Sequence, residues 1–329
     1  MKEWNDFLCT QNIQPLQQNN VLCALTETGL LYVGGDDATD FLQNQLSNDI
    51  RLIDDTGSQI SSCSSSKGRV YGIFRVVRIE GGYLLLMPHS ILPSVQERLQ
   101  KFIIMSKVVM ADITNSFSLF SVTTDNDELL AEHNLPENPG EVYQSDTLIS
   151  LQLHSAAGRK RFLLMSNNAQ EAIQLWSELA SYLVINDMTH WRLQEIEAGI
   201  PSIHAATSEA FVLQMCNLDA LGGVSFKKGC YPGQEVVARM HYLGKLKRRM
   251  YLAELQSTEC PLPGDEITSQ GSVKNDGSGK VVDAVQIETT KCLMLFVAQI
   301  AKAQAGELLL ATHPESKLTL KSLPYAIPA

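Results

Sequence analysis

Before residue 185, strand-like runs and amphipathic helices are mixed in a pattern that recurs more loosely, and after Gly244 the pattern becomes short strands alone. That order constrains the fold more than any other feature. "GLLYVGGDDATDFLQNQLSNDI" predicts a strand from Leu30 to Val33 and a turn at Gly34-Gly35. A helix follows, capped by Asp36 or Asp37, with Phe41, Leu42 and Leu46 at helical spacing. "GRVYGIFRVVRIEGGYLLLMP" predicts two strands joined near Gly81-Gly82, and "PSVQERLQKFIIM" an amphipathic helix. The motif recurs as "FSLFSVTT", then "TLISLQLHSAAGRKRFLLMS" turning at Ala157-Gly158, then the helix "NAQEAIQLWSELASYL". That helix carries Ala169, Ile173, Trp176 and Leu179 or Leu183 on one face. "INDMTHWRLQEIEAGIP" is a further helix, capped by Asn186 or Asp187 and ended by Gly199 and Pro201. Past Gly244, "KRRMYLAEL", "SGKVVDAVQI", "CLMLFVAQIA" and "GELLLAT" read as strands between turns at Pro263-Gly264-Asp265 and Asn275 to Gly279. Such spacing points to a small all-β barrel or sandwich.

Composition limits the function classes. The chain has 329 residues and a net charge of −10, so its average surface repels phosphates and only a local basic patch would attract them. The richest apolar run, "CLMLFVAQIA", is too short to span a bilayer, and no membrane role is expected. The polar start lacks a charged-then-apolar leader pattern, which points to the cytoplasm. Seven cysteines, an odd number with no C-x-x-C pair, argue for reduced thiols rather than a disulfide framework or a structural zinc site.

Three stretches carry chemistry. The first is a basic cluster of Lys227, Lys228, Arg239, Lys245, Lys247, Arg248 and Arg249, opposed only by Glu235. It reads either as an anion site or as a solvated face running into a guarded edge strand. The second is "SFKKGCYPGQE", Ser225 to Glu235. Pro232-Gly233 suits a type II turn, and "QEVVARMHYLG" reads as a helix ending at Gly244. Cys230 thus precedes a helix start, beside Lys227 and Lys228, and both features favour a thiolate. The competing reading is a small buried apolar residue. The third is "EIEAG": Glu197 is either a solvated helix-end carboxylate or an acceptor for the paired N–H donors of a pterin edge.

"NLDALGGVSFKKGCYPGQEVVAR", Asn217 to Arg239, resembles the signature of the YgfZ family, relatives of the glycine-cleavage T-protein. Its core runs without a gap from Lys228 to Glu235. "IEAGIP", "LGKLKRR" and the closing "SLPY" are similar too, and the likeness spans nearly the whole chain. The resemblance implies an α+β fold: a three-domain T-protein-like ring of two ferredoxin-like, split β-α-β domains and a C-terminal β-barrel. The first domain would take residues 1–112 and 185–243, the second, inserted, 113–184, and the barrel 244–329.

Functionally, the resemblance implies a tetrahydrofolate-binding accessory protein that supports iron–sulfur cluster maintenance or repair, and thereby tRNA thiomethylation. Cys230 matches the family's functional cysteine, with Lys228 lowering its pKa; nucleophile and transient cluster or sulfur ligand both stay open. Glu197 matches the pterin-holding glutamate of the T-protein, and Trp191 a folate-contacting tryptophan. Tyr231 and Gln234 fall in the same cofactor site, while Arg239, Arg248 and Arg249 would hold a folate glutamate tail or an RNA phosphate. The expected partners are iron–sulfur enzymes such as radical tRNA methylthiotransferases, cluster carriers, folate and, weakly, tRNA. One thiolate cannot hold a cluster alone, so no permanent metal is expected. Where the T-protein has a catalytic aspartate, Tyr71 and Gly72 stand, and a second tryptophan of some members is missing near Thr28. Aminomethyl transfer of the T-protein type is therefore not expected. Two alternatives remain: a folate-dependent one-carbon transferase, and an RNA-binding module built on the basic stretch. The latter lacks a visible aromatic-studded RNA motif.

Overall fold

The computed structural model describes residues 2–16, 19–133, 135–244, 246–269, 277–316 and 318–328. The expected Lys245 cation and the first half of the Asn275–Gly279 turn lie outside them. The chain forms two compact units, one of Met1–Phe41, Arg51–Gln59 and Arg75–Gln194, the other of Leu42–Ile50, Ile60–Phe74 and Glu195–Ala329.

In the first unit, a six-stranded sheet runs in the order Val184–Asn186, Val21–Ala24, Ser118–Thr124, Arg159–Ser166, Leu148–Ala156 and Val142–Gln144. Only the pairing of Val21–Ala24 with Val184–Asn186 is parallel. Strand side chains alternate between two faces. Leu22, Phe120, Val122, Phe162 and Leu164 meet Trp4 and Trp176 on one face. Those two rings contact edge-to-face at 5.4 Å. Trp176 belongs to the helix Ala169–Leu179, whose first N–H groups are capped by Asn168. Cys23, Leu119, Leu151, Leu163 and Met165 line the other face, with Leu30, Val77, Leu84, Leu86 and Trp191. Leu30, Leu84 and Val77 come from a five-stranded sheet, ordered Ser58–Ser64, Val70–Ile79, Gly82–Pro88, Thr28–Gly34 and Val109–Asp112, whose stretches 60–64 and 70–74 are counted in the second unit. The turns at Gly81 and at Ala157-Gly158 fall where their sequence predicts.

The second unit contains an antiparallel sheet ordered Leu308–Leu310, Glu266–Ser269, Gly279–Glu288, Lys291–Gln299, Arg248–Gln256 and Leu318–Lys321. Bulges in Gly279–Glu288, between Val281 and Asp283 and between Gln286 and Glu288, bend it over a core of Leu255, Ile267, Met294 and Phe296. The barrel expected from the sequence is thus a curled half-barrel of six strands. The tail is not purely strand: the helix Ile300–Ala305 interrupts it, ending at Gly306 with φ +69°. Among the described residues, no helix is long and apolar enough to cross a membrane.

Candidate functional site

Cys230 sits on a loop fixed from both sides. Upstream, Lys228 does not join a basic surface. Its side chain is buried, and Nζ donates to the carbonyls of Leu46 at 2.7 Å and Asn48 at 2.9 Å. The ammonium also lies 5.3 Å from the centroid of the Tyr231 ring. The acceptors are held in turn. Asn48 Nδ2 donates to Ile60 O at 2.9 Å and Gly222 O at 2.7 Å, and Ser47 Oγ donates to Gly223 O at 2.7 Å. Ser62 donates to Ser47 Oγ through both its backbone N–H and its hydroxyl. These bonds give the serine-rich stretch "SQISSCS" its role: a largely buried strand in which Ser61 and Ser62 are satisfied by Asn48 and Ser47, while the buried Ser64 hydroxyl has no partner among the described residues.

Downstream, Gln234 N donates to Tyr231 O at 3.1 Å, closing a turn with Pro232 and Gly233 at its centre. Gly233 has φ +85°, as the type II reading requires. A Cβ there would stand 2.6 Å from both Gly68 Cα and Ser65 O, so two loops meet backbone to backbone. Gln234 opens the helix Gln234–Tyr242, and its Nε2 points back at the carbonyls of Lys228 and Gly229, both 3.5 Å away. Between these anchors Cys230 is exposed. A small buried residue is therefore not what this position holds. Tyr231 beside it is buried, its hydroxyl has no hydrogen-bond partner among the described residues, and burial pushes its phenol up.

Five of the other six thiols differ. Cys23, Cys63, Cys216 and Cys292 are buried, Cys260 is intermediate, and Cys9 is exposed. Burial pushes the Cys23 thiol up to about 12, and that of Cys216 higher still. A thiol-specific reagent applied to native protein should therefore modify Cys9 and Cys230 first. Cys23 and Cys216 should react only on unfolding, as peptide mapping of the labelled chain will read.

The arginines divide. Arg249 faces inward, where its two terminal nitrogens meet Asp219 at 2.6 and 2.9 Å and one also donates to Gln214 O at 3.0 Å. Arg248 donates to the carbonyl of Gly277. Arg239 is exposed, with a loose pairing to Glu235 at 3.5 Å. Of the expected cationic face, then, Lys227, Arg239 and Lys247 are the exposed members, while Lys228 and Arg249 serve the interior.

Sequence reasoning missed what Arg249 joins. Asn217, in left-handed conformation at φ +57°, donates through Nδ2 to Met250 O at 3.0 Å. Tyr325 donates to Gly199 O at 2.8 Å, and a Cβ on Gly199 would stand 2.7 Å from the Tyr325 ring. The "NLD", "IEAGIP", "KRR" and "SLPY" stretches thus contribute contacts to packing within one unit. Their appearance in the signature was the available signal.

Trp191 and Glu197 lie on the helix Met188–Glu197, whose N-terminus is capped by Asp187 through Thr189 N at 2.9 Å. Trp191 is 9% exposed, with the guanidiniums of Arg75 and Arg161 5.5 and 5.4 Å from its centroid. It packs as part of the first unit's core. Glu197 is half-buried at the helix end, just ahead of Gly199 with φ +67°.

The architecture defines the class first. The fold matches the crystal structure of glycine cleavage system aminomethyltransferase T from Bartonella henselae, with a TM-score of 0.69 at 14% identity over 92% of this chain and 85% of that one. No protein-family model matches the chain. The tRNA-modifying protein YgfZ of Photorhabdus laumondii is 31% identical, with 93% of this chain and 92% of that protein covered. The YgfZ of Pectobacterium carotovorum is 30% identical at the same coverage, and that of Colwellia psychrerythraea 29% over 93% of each chain. The chain belongs to the YgfZ family.

Proposed function

We propose that this protein acts in tRNA modification as an accessory to iron–sulfur enzymes, with Cys230 as its working thiol. The observation that carries this is the presentation of Cys230: exposed, on a turn pinned by the buried Lys228 and by the Gly233–Gly68 approach. A rigidly held, solvent-facing thiol suits transfer to or from a partner. It offers one ligand, so a cluster or sulfur species in transit takes its remaining ligands from the client protein or a carrier. The relatives' name supplies the tRNA context.

A reduced folate is the proposed cofactor. The residues present fit it at Glu197, a half-buried carboxylate able to accept two N–H bonds from a pterin edge. Trp191 supports that helix from within the core, and Arg239 is the exposed guanidinium for a folate tail. When bound, the folate supplies a carrier of one-carbon units. Tyr71 and Gly72 open the strand Val70–Ile79, so neither position offers a carboxylate for aminomethyl transfer. Residues 113–184 are read as a second part inserted into the first, with 244–329 as the third.

Expression in a bacterial strain lacking its own family member should restore thiomethylated nucleosides in bulk tRNA. No recovery with soluble protein would overturn the tRNA role. Tetrahydrofolate titrated into purified protein should bind, and Glu197→Gln should weaken binding about tenfold or more, since a charge-assisted carboxylate–donor pair is lost. An unchanged affinity would remove Glu197 from the cofactor site.

A further inference from the structure

We infer that the face formed by Phe226, His241 and Tyr242 is a docking platform for an unpaired segment of RNA. The three rings lie on either side of the cysteine turn in the sequence and meet only in the fold. Phe226 and His241 stack in parallel, with centroids 3.7 Å apart and planes 13° from coplanar. Tyr242 stands edge-on to both, at 6.3 Å and 73° to Phe226 and 4.7 Å and 79° to His241. The assembly faces water: Tyr242 is 65% exposed, the adjoining Leu243 is 86% exposed, and His241 is exposed.

Charge selects the occupant. Lys227 adjoins Phe226, and Lys247 follows the helix that carries His241 and Tyr242; both are exposed. Glu235 is the one carboxylate on the helix Gln234–Tyr242, and its 3.5 Å pairing with Arg239 is between two highly exposed side chains, which water and salt readily release. A chain of net charge −10 therefore presents cations and flat rings together here. Bases stack on aromatic faces whatever their identity, and lysine and arginine track the phosphates between them. Duplex RNA keeps its bases stacked inside and offers the rings nothing, so the complementary partner is single-stranded. This inference rests on the tRNA reading and assigns it a binding surface.

The test is fluorescence anisotropy with a labelled, unstructured 12-nucleotide RNA, a duplex of equal length as competitor, and poly-glutamate as an anionic control. The single strand should bind at low salt and out-compete both. His241→Ala and Tyr242→Ala, both at exposed positions, should each weaken it about tenfold with little change in salt dependence. Lys227→Ala with Lys247→Ala should weaken binding and flatten the salt slope. No binding at low salt overturns the inference. So does equal competition by poly-glutamate with no effect of the ring variants, which marks a generic anion patch. Restoration of tRNA thiomethylation by the wild type without RNA binding would overturn the platform and leave the tRNA role standing. RNA binding without restoration would do the reverse.

Discussion

Replacing Arg249 by alanine should destabilise the protein by about 3–5 kcal/mol, the usual cost of stripping one partner from a buried ion pair. The side chains of Arg249 and Asp219 are 9% and 8% exposed. Their contact is bidentate, at 2.6 and 2.9 Å, with a further bond from Arg249 to Gln214 O at 3.0 Å. Alanine leaves the Asp219 carboxylate in a low-dielectric site with its fork removed. Lysine keeps the charge and loses the planar pair of donors, so Arg249→Lys should recover only part of the loss. Arg249→Met with Asp219→Leu should recover more than either single change, because two desolvated charges leave together. Urea denaturation reads all four proteins. An Arg249→Ala midpoint equal to the wild type would show that the bridge contributes nothing.

Gly233→Val should be the second severe change. A non-glycine residue at φ +85° costs on the order of 1–3 kcal/mol. The collision adds to it, since Gly68 Cα and Ser65 O, both backbone, stand 2.6 Å from the new Cβ and cannot swing away. The turn must open, and Cys230 loses its fixed position. Gly229→Ala is the matched control: among the described residues, no atom beyond its chain neighbours lies within 4 Å of a Cβ built there. Gly233→Val should lower the thermal midpoint and alter the labelling rate of Cys230, while Gly229→Ala should change neither appreciably. Equal behaviour of the two variants would contradict the pinned turn.

Much of this was legible in the sequence because it depends on near neighbours. Asp187 caps its helix and Gly199 ends it, as their positions predict. Pro232-Gly233 makes its turn from a four-residue signal. The hidden parts depend on distant partners. Ser58–Ser64 carries few of the β-branched residues that mark a strand, and its polarity is tolerable only because Ser47 and Asn48 supply partners. Val21–Ala24 is too short to show a period, yet it pairs with strands nearly a hundred and more residues onward. Lys228 and Arg249 look alike in a basic run, and only Leu46, Asn48 and Asp219 reveal that both serve the interior. Phe226 and His241 form one stack by folding alone. For Cys230, local chemistry allowed a buried or a reactive thiol, and its exposure removes the first.

The most direct measurement compares wild type and Cys230→Ala in a bacterial strain lacking its own family member, with thiomethylated nucleosides in bulk tRNA quantified by mass spectrometry. Cys230 is exposed and its side chain is small, so the variant should fold and accumulate like the wild type. The wild type should restore the modification and Cys230→Ala should not. Equal restoration by both proteins would contradict the assignment of Cys230 as the working thiol.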